Sequence, residues 1–305
     1  MLKKYNLIVI GGGPAGMAAA YSAHQTGLKD VLLLERLPKL GGILNQCIHV
    51  GFGLHYFKKE LTGTEYSAMY RKLLVESSVE IKTSSCVLSI TPDKQVTYLN
   101  KDGQFTVFAK RIVLATGCRE RTREMLTIPG TRPAGIFTAG LAQEMINIYG
   151  VMPGKKAVII GSGDIGLIMA RRLTLEGAEV LAVLEIRDKL SGLLRNKVQC
   201  LDDFGIPLQL QHEVLEVYGK DRVEKIRYRN NTTGKESFLE CDTLLFSVGL
   251  IPEIDLLTES EIDIGAGPRA CPGIDIAGNA EHIYELVDDA TKDAEKLGKT
   301  IASEM

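Results

Sequence analysis

Two stretches of the chain, 150 residues apart, repeat the same order of hydrophobic and polar positions. Each stretch opens with a short apolar run (residues 7–10 and 157–160), passes through a glycine-rich turn, and continues with apolar residues at helical spacing. A second apolar run follows in each stretch and ends in an acid. Short apolar runs bounded by glycine are typical of buried strands, so the pattern predicts a strand–helix–strand unit that occurs twice.

The turn in each copy has the spacing Gly-x-Gly-x-x-Gly. Its glycines are Gly11, Gly13 and Gly16 in the first copy and Gly161, Gly163 and Gly166 in the second. The first glycine of such a turn permits the sharp bend, the second lets backbone amides approach a pyrophosphate, and the third allows close helix–strand packing. The following helix presents unpaired N–H groups to the phosphates. The residues between the glycines that we expect to join these two dinucleotide sites are Pro14, Ala15, Asp164 and Ile165.

An acid closes each copy, Glu35 in the first and Glu185 in the second, in both cases 19 residues after the last turn glycine. A carboxylate at this place accepts hydrogen bonds from the hydroxyls of an adenosine ribose. Arg36 follows the first acid directly and is expected to join its site. Glu185 repels a 2′-phosphate and favours NAD over NADP, whereas Arg187 is the kind of residue that holds such a phosphate. We expect NAD(H) to be preferred.

Other apolar runs also end in glycine, as the first strand of each copy does. The residues at these turns include Ala115, Thr116, Gly117, Gly249, Gly278 and Asn279. A looser glycine pattern at residues 265–270 contains Pro268 and is followed by Pro272, so it predicts a loop and no helix.

Three local patterns complete the secondary-structure prediction. Residues 94–109 predict a hairpin that turns at Asp102 and Gly103. Residues 281–297 predict a helix near the C-terminus, and the Gly- and Pro-containing segment 150–156 predicts a linker before the second copy.

The composition of the chain adds no further function but argues against several classes of protein. The 305 residues include 36 Lys+Arg and 38 Asp+Glu, a formal net charge of −2, so no electrostatic attraction to nucleic acid is expected. No apolar run approaches the ~18 residues of a membrane span, and no signal peptide is expected. The six cysteines include no C-x-x-C pair, which argues against a zinc finger or a thioredoxin-type dithiol. We expect a reduced, cytoplasmic protein.

The two copies, the Ala-Thr-Gly motif at 115–117 and the Gly-Ile-Asp-Ile-Ala-Gly-Asn motif at 273–279 resemble the two-dinucleotide flavoproteins of the pyridine nucleotide-disulfide oxidoreductase superfamily. The resemblance covers nearly the whole chain. It implies an α/β fold with two Rossmann-like domains, an FAD-binding domain at residues 1–117 plus 244–305 and an inserted NAD(P)-binding domain at residues 118–243. It also implies that Glu35 holds the FAD ribose. Gly278 and Asn279 would lie at the ribityl-pyrophosphate, where most relatives carry Asp at the second position. The resemblance further implies that the cofactor-binding residues include Ala115, Thr116, Gly117 and Gly249, together with Gly42.

Four segments, 41–54, 115–121, 132–143 and 278–288, are similar to a narrower group. These are the small flavoproteins encoded beside anaerobic glycerol-3-phosphate dehydrogenases, with subunits of opine oxidase, hydrogen cyanide synthase and dye-linked proline dehydrogenase as more distant relatives. The resemblance implies hydride transfer between NAD(H) and FAD and electron exchange with a partner dehydrogenase. The chain is then expected to belong to an oligomer or complex.

Cysteine redox chemistry is the main alternative. Glutathione-reductase-like enzymes carry two cysteines where this chain has Leu44 and His49, and thioredoxin-reductase-like enzymes carry a C-x-x-C that is missing between residues 118 and 243. Cys47 remains as a single redox thiol or as a small residue that packs the loop. The chain is therefore also compatible with a disulfide or peroxide reductase that uses Cys47 alone, or with a non-enzymatic subunit that holds nucleotides. No metal site is predicted, because the candidate ligands amount only to one thiol and two imidazoles, those of Cys47, His49 and His55.

Overall fold

The computed structural model describes residues 3–260, 262 and 269–305. These residues form two compact units: unit one extends to residue 119 and resumes at 252–305, and unit two comprises residues 120–251. Most of the glycine pattern at 265–270, expected to be a loop, lies outside the described residues. No helix among the described residues is long and apolar enough to cross a membrane.

The helices and strands follow one another in mixed order along the chain. The helices are α1 (Pro14–Gln25), α2 (Gly63–Val75), α3 (Ala139–Asn147), α4 (Asp164–Leu175), α5 (Leu194–Cys200), α6 (Asp255–Thr258) and α7 (Val287–Ser303). Short 3₁₀ turns occupy Gly42–Gln46, Glu124–Leu126, Asp202–Phe204 and Gly278–Ala280. The strands are β1 (Lys4–Ile10), β2 (Val31–Leu34), β3 (Val50–Phe52), β4 (Leu61–Thr62), β5 (Glu80–Lys82), β6 (Cys86–Ile90), β7 (Gln95–Asn100), β8 (Gly103–Leu114), β9 (Cys118–Glu120), β10 (Ile136–Thr138), β11 (Lys156–Ile160), β12 (Glu179–Glu185), β13 (Leu208–Leu210), β14 (His212–Gly219), β15 (Val223–Asn230), β16 (Glu236–Glu240), β17 (Thr243–Phe246), β18 (Leu250–Pro252), β19 (Arg269–Cys271) and β20 (Ile274–Ile276).

Unit one is built on a sheet with the strand order β19-β20-β8-β1-β2-β5. Strand β1 pairs in parallel with β2 on one side and β8 on the other. Alternate residues of β1 face opposite layers: Leu7 and Val9 pack with the core of α1, α2 and α7, and Ile8 and Ile10 pack against the β6–β7–β8 side. Strand β1 lies between β2 and β8, so the strand order reverses at the carboxyl ends of β1 and β8, which is where open α/β sheets form a ligand-binding crevice.

Unit two repeats this plan. Its parallel sheet has the order β10-β17-β11-β12-β13, so β11 lies between β12 and β17 as β1 lies between β2 and β8. One face of the sheet packs against α3 and α4, and the other packs against the antiparallel sheet β14–β15–β16. The strand order reverses in the same way at the carboxyl ends of β11 and β17, so a ligand-binding crevice is expected there. The expected α/β class with two Rossmann-like sheets is confirmed.

The boundaries of unit two differ from those expected from sequence. The chain enters unit two at residue 120 and leaves it after residue 251, where 118 and 243 were expected. The main difference concerns residues 244–251. Strand β17 pairs with β11 in register from Thr243 with Ala157 to Phe246 with Ile160, and hydrogen bonding to the central strand of the second sheet ties it to unit two.

The predicted hairpin is present, with Asn100 opposite Gly103 across the turn. Its second strand does not stop before the apolar run at 112–114 but continues through it, so that hairpin and sheet share the single strand β8. The C-terminal helix, expected at 281–297, begins at Val287 and ends at Ser303. Residues 278–284 form a tight turn instead, because Gly278 O accepts from the N–H of Glu281 and the Asn279 side chain accepts from the N–H of Tyr284.

Candidate functional site

The turn between β1 and α1 is shaped by two close backbone approaches. Gly11 has a φ of +104°, and a methyl group there would collide with the carbonyl oxygen of Ala115 at the end of β8. A methyl group on Gly16 would collide with the carbonyl oxygen of Gly11. In contrast, a methyl group on Gly13 would meet no described atom within 4 Å. Gly11 and Gly16 are therefore fixed by packing, whereas the space beside Gly13, at the amino end of α1, is open to a ligand.

Glu35 lies at the end of β2 next to this turn and is 5% exposed. One carboxylate oxygen accepts the Gly12 N–H at 2.6 Å, and the other accepts the Leu37 N–H at 2.7 Å. An ionised carboxylate has about four acceptor positions. The described residues use two of them, and the two that remain match the paired hydroxyls of an adenosine ribose.

Two further predicted residues, Gly42 and Gly278, lie close to the same turn. A methyl group on Gly42 would lie 3.1 Å from the Cα of Gly13, and one on Gly278 would lie 2.6 Å from the Cβ of Ala15. Gly42 and Gly278 are far apart in sequence but meet at the amino end of α1. The structure thus brings Gly13, Ala15, Gly42 and Gly278 together with Glu35 around one crevice in unit one.

The second copy has the same hydrogen bonds at positions shifted by 150. The Ser162 N–H donates to Oε2 of Glu185 at 2.9 Å, and the Arg187 N–H donates to Oε1 at 3.0 Å. Glu185 is 4% exposed. Burial alone would raise the pKa of Glu185, but hydrogen bonds from Ser162, Arg187 and Ser191 outweigh it and hold the pKa below the usual value. The acid is therefore ionised at neutral pH.

In contrast to the first turn, the second turn has a neighbouring residue, Ser247, packed closely against it. A methyl group on Gly161 would collide with the carbonyl oxygen of Ser247, and one on Gly163 would lie 3.0 Å from the Ser247 hydroxyl. That hydroxyl also accepts the N–H of Gly166 at 3.1 Å. Asp164, expected to line the ligand site, accepts the Leu193 N–H at 2.8 Å. Its carboxylate thus holds the segment after the second acid beside the turn.

Other predicted residues differ in how their side chains are placed. Arg36 and Arg187 are exposed, and Ile165 is partly buried against the core beneath α4. The Thr116 hydroxyl donates to the carbonyl of Glu253, whose N–H donates to the carbonyl of Gly117.

Two more predicted residues are engaged by neighbouring chain segments. The carbonyl of Gly249 accepts the N–H of Arg121 in the β9–β18 ribbon. The Asn279 side chain accepts the Tyr284 N–H at 3.1 Å and donates to the Cys118 sulfur at 3.5 Å. Asn279 therefore shapes the turn that presents Gly278, and any contact it makes with a cofactor comes in addition to these bonds.

Asp288, in the first turn of α7, is a functional candidate that sequence reasoning missed. Its carboxylate is 3% exposed and accepts the backbone N–H groups of Gly53, His55 and Tyr56 at 3.1, 2.7 and 3.2 Å. Three donors from one loop hold residues 53–56 against the start of α7. An acid in the first turn of a helix is common, so the sequence held no signal for this role.

Cys47 is a buried thiol. It is 7% exposed, its sulfur donates to the carbonyl of Ile43 at 3.3 Å, and burial raises its pKa to about 12. The protonated thiol is a poor nucleophile at neutral pH. Among the described residues, no group of three or more His, Cys, Asp or Glu side chains is arranged to hold a metal ion.

Each unit therefore carries a reversal of strand order, a glycine turn at a helix amino end and a buried acid, which together fit the pyrophosphate and ribose of one dinucleotide. The class defined by this fold and these sites is an α/β protein with two dinucleotide-binding units. Residues 5–290 match the family described as pyridine nucleotide-disulphide oxidoreductase, and the chain belongs to that family. Its members are FAD-binding oxidoreductases that use NAD(P)H.

Individual relatives agree with the family. The chain is 26% identical over 287 residues to a subunit of alkyl hydroperoxide reductase from Staphylococcus aureus strain MSSA476, covering 90% of this chain and 54% of the relative. It is 28% identical over 284 residues to a subunit of opine oxidase from Agrobacterium tumefaciens strain Ach5, covering 83% and 54%. The chain spans about half the length of these curated relatives. The thioredoxin reductase of T. acidophilum superimposes with a TM-score of 0.79 at 22% identity, covering 99% of both chains, and shows the shared fold.

Proposed function

We propose that the protein transfers hydride between NAD(H), bound by unit two, and FAD, bound by unit one. The observation that carries this proposal is the repeated site. In both units a turn N–H and an N–H two residues after the acid hold the buried carboxylate in the same way. Two ribose-recognition sites on two separate sheets suit a reaction between two dinucleotides.

The residues of each unit have defined tasks in this proposal. In unit one, the amino end of α1 at Gly13 binds the FAD pyrophosphate and Glu35 binds the adenosine ribose, with Gly42 and Gly278 closing the crevice. In unit two, the amino end of α4 and Glu185 bind the substrate NAD(H). When bound, FAD supplies a carrier that takes up a hydride and releases electrons to a second acceptor. The side chains orient the two dinucleotides, and none is required to move a proton.

The electron partner is proposed to be a second dehydrogenase, of the kind oxidising glycerol 3-phosphate, an amine or a related substrate. The similarity to an opine oxidase subunit, a protein named as one part of an assembly, supports this proposal. Co-purification of the chain with a dehydrogenase that reduces its flavin, or is reduced by it, is the expected result. A chain that exchanges electrons only with small acceptors would contradict this proposal.

Anaerobic titration of the FAD-loaded protein tests the proposed reaction. Stoichiometric NADH should bleach the yellow flavin, and NADPH should require a higher concentration because the ionised Glu185 repels its 2′-phosphate. The measurement is visible absorbance against added nucleotide, with the steady-state KM of each nucleotide from dye reduction. A yellow protein that neither nucleotide bleaches would identify a scaffold subunit, and a lower KM for NADPH would overturn the NAD preference.

Cys47→Ala tests the alternative of a reductase that uses a single thiol. We expect NADH-dependent dye turnover within about twofold of the unmodified protein, since a buried thiol with a pKa of about 12 stays protonated at neutral pH. Iodoacetamide labelling at neutral pH provides the control, because the exposed Cys86 should react long before Cys47. A loss of turnover of about tenfold or more in a variant that still binds FAD would favour thiol chemistry.

A further inference from the structure

The two ribose-binding acids differ in how many acceptor positions they have left. Glu35 accepts hydrogen bonds from two backbone N–H groups. Glu185 accepts the two equivalent N–H groups and, in addition, the Ser162 hydroxyl at 2.6 Å and the Ser191 hydroxyl at 3.0 Å. Three of these donors, the Ser162 N–H and both hydroxyls, go to Oε2 of Glu185, and only the Arg187 N–H goes to Oε1. Each carboxylate oxygen has about two acceptor positions. Within the described chain, Oε2 of Glu185 is therefore filled, whereas Oε2 of Glu35 accepts a single N–H and has room for a ligand. Oε1 accepts one N–H in both acids.

The difference arises from two substitutions between the copies. Ser162 stands where the first copy has Gly12. The Gly192 N–H donates to the Ser162 carbonyl as the Gly41 N–H donates to the Gly12 carbonyl, so Ser191 stands where the first copy has Leu40. Neither Gly12 nor Leu40 carries a hydroxyl, so the first acid receives none from either position. The backbone N–H groups that hold the two acids are otherwise the same, and the first copy serves as an internal reference for the second.

The two serines are not equally fixed. The Ser162 hydroxyl donates to Glu185 and accepts the Ser191 N–H at 2.9 Å, so it is held from both sides. The Ser191 hydroxyl makes only its 3.0 Å bond to Glu185 among the described residues. Rotation about the Ser191 Cα–Cβ bond removes the third donor from Oε2 of Glu185 without moving the backbone.

We infer that Ser191 occupies a ribose-binding position at Oε2 of Glu185 and that a ribose hydroxyl of NAD(H) must displace it to bind this oxygen. The inference rests on the proposed binding of NAD(H) in unit two. Ser191 is thus a specificity-determining residue that weakens binding of the free ribose hydroxyl. The site in unit one, where Gly12 and Leu40 stand in place of the two serines, binds its ribose without this competition.

Removing the Ser191 hydroxyl should leave the loop in place. The Ser191 N–H still donates to Ser162, the Gly192 N–H still donates to the Ser162 carbonyl at 2.8 Å, and the Leu193 N–H still donates to Asp164. All of these bonds come from the backbone of the loop. The variant Ser191→Ala therefore tests the hydroxyl alone.

The experiment measures steady-state NADH–dye turnover of FAD-loaded Ser191→Ala. The KM for NADH is expected to fall by a factor of about three to ten, with kcat unchanged, because one hydrogen bond to a charged group no longer has to be exchanged. With an NADH analogue lacking the adenosine 2′-hydroxyl, the gain should shrink to less than about twofold. Ser237→Ala on β16 is the matched control and should leave both KM values unchanged.

The outcomes separate this inference from the proposed function. If NADH reduces the flavin of both proteins and the KM is equal or higher in Ser191→Ala, the competition is refuted and the hydride transfer stands. An equal gain with the 2′-deoxy analogue would also refute it. If NADH reduces the flavin of neither protein, the proposed function fails. Direct titration with ADP-ribose then still tests the competition, since Ser191→Ala should bind it about three to ten times more tightly.

Discussion

Gly13→Ala is expected to fold normally and to lose most of its affinity for FAD, by a factor of at least about ten. The added methyl group meets no described protein atom within 4 Å, and the backbone there, with φ −71° and ψ −177°, suits alanine. It would stand in the space through which the amino end of α1 approaches a pyrophosphate, and it would keep the phosphate away from the N–H groups. Flavin content after purification and fluorescence titration with FAD measure the effect.

Gly16→Ala provides the contrast. Its methyl group would collide with the carbonyl oxygen of Gly11. In this variant unit one should therefore be destabilised or unfolded, and FAD binding should be lost as well. Thermal unfolding of the FAD-free proteins separates the two cases. Gly13→Ala should unfold at the temperature of the unmodified protein, and Gly16→Ala should show a lower midpoint or no cooperative transition. FAD binding unchanged by Gly13→Ala would show that the pyrophosphate does not lie at this turn.

Arg111→Met should destabilise unit one by about 3 kcal/mol, a fall in Tm of about 10 °C. The Arg111 guanidinium contacts Asp275 at 2.7 Å and Glu304 at 2.7 Å, which joins β8 to β20 and to the end of α7. The Asp275 side chain is 1% exposed. Loss of the arginine therefore leaves a buried carboxylate without its cation, while the methionine keeps the packing of the side-chain stem. Calorimetry or circular dichroism of the FAD-free protein measures the change.

Two controls make this expectation specific. Lys72→Met removes an exposed ion pair with Glu76 at 4.0 Å and should cost less than about 0.5 kcal/mol. Adding Asp275→Leu to Arg111→Met removes the buried charge itself and should restore part of the lost stability. If Arg111→Met shifts Tm by no more than the lysine control, burial of the pair does not govern the stability of unit one.

The repeat explains why so much of the fold could be predicted. Hydrophobic period and glycine spacing are local properties of the chain, and they placed the strand, turn and helix at Gly11 and at Gly161 correctly. The same spacing also identified Glu35 and Glu185, because an acid at the end of the second strand must lie beside the turn of the first. In the structure both acids are buried and accept an N–H of the neighbouring turn.

Helix ends and domain boundaries were predicted less well because they depend on contacts between distant residues. The apolar run at 243–246 suits either sheet, and only its pairing with β11 assigns it to unit two. Residues 281–286 have no sequence feature that forbids a helix. The hydrogen bond from Tyr284 to Asn279 instead holds them in a turn, so α7 begins later.

The sequence by itself determined that two sheets each carry a glycine turn and an acid, since hydrophobic period, backbone sterics and strand order follow from local residue types. The tertiary structure alone decided how many hydrogen-bond acceptor positions each carboxylate has left for a ligand. Ser191 reaches Glu185 only through the path of the loop between them, and Gly278 reaches Ala15 only because β20 lies next to β8. Such contacts depend on how the backbone closes in space, which no residue pattern along the chain encodes.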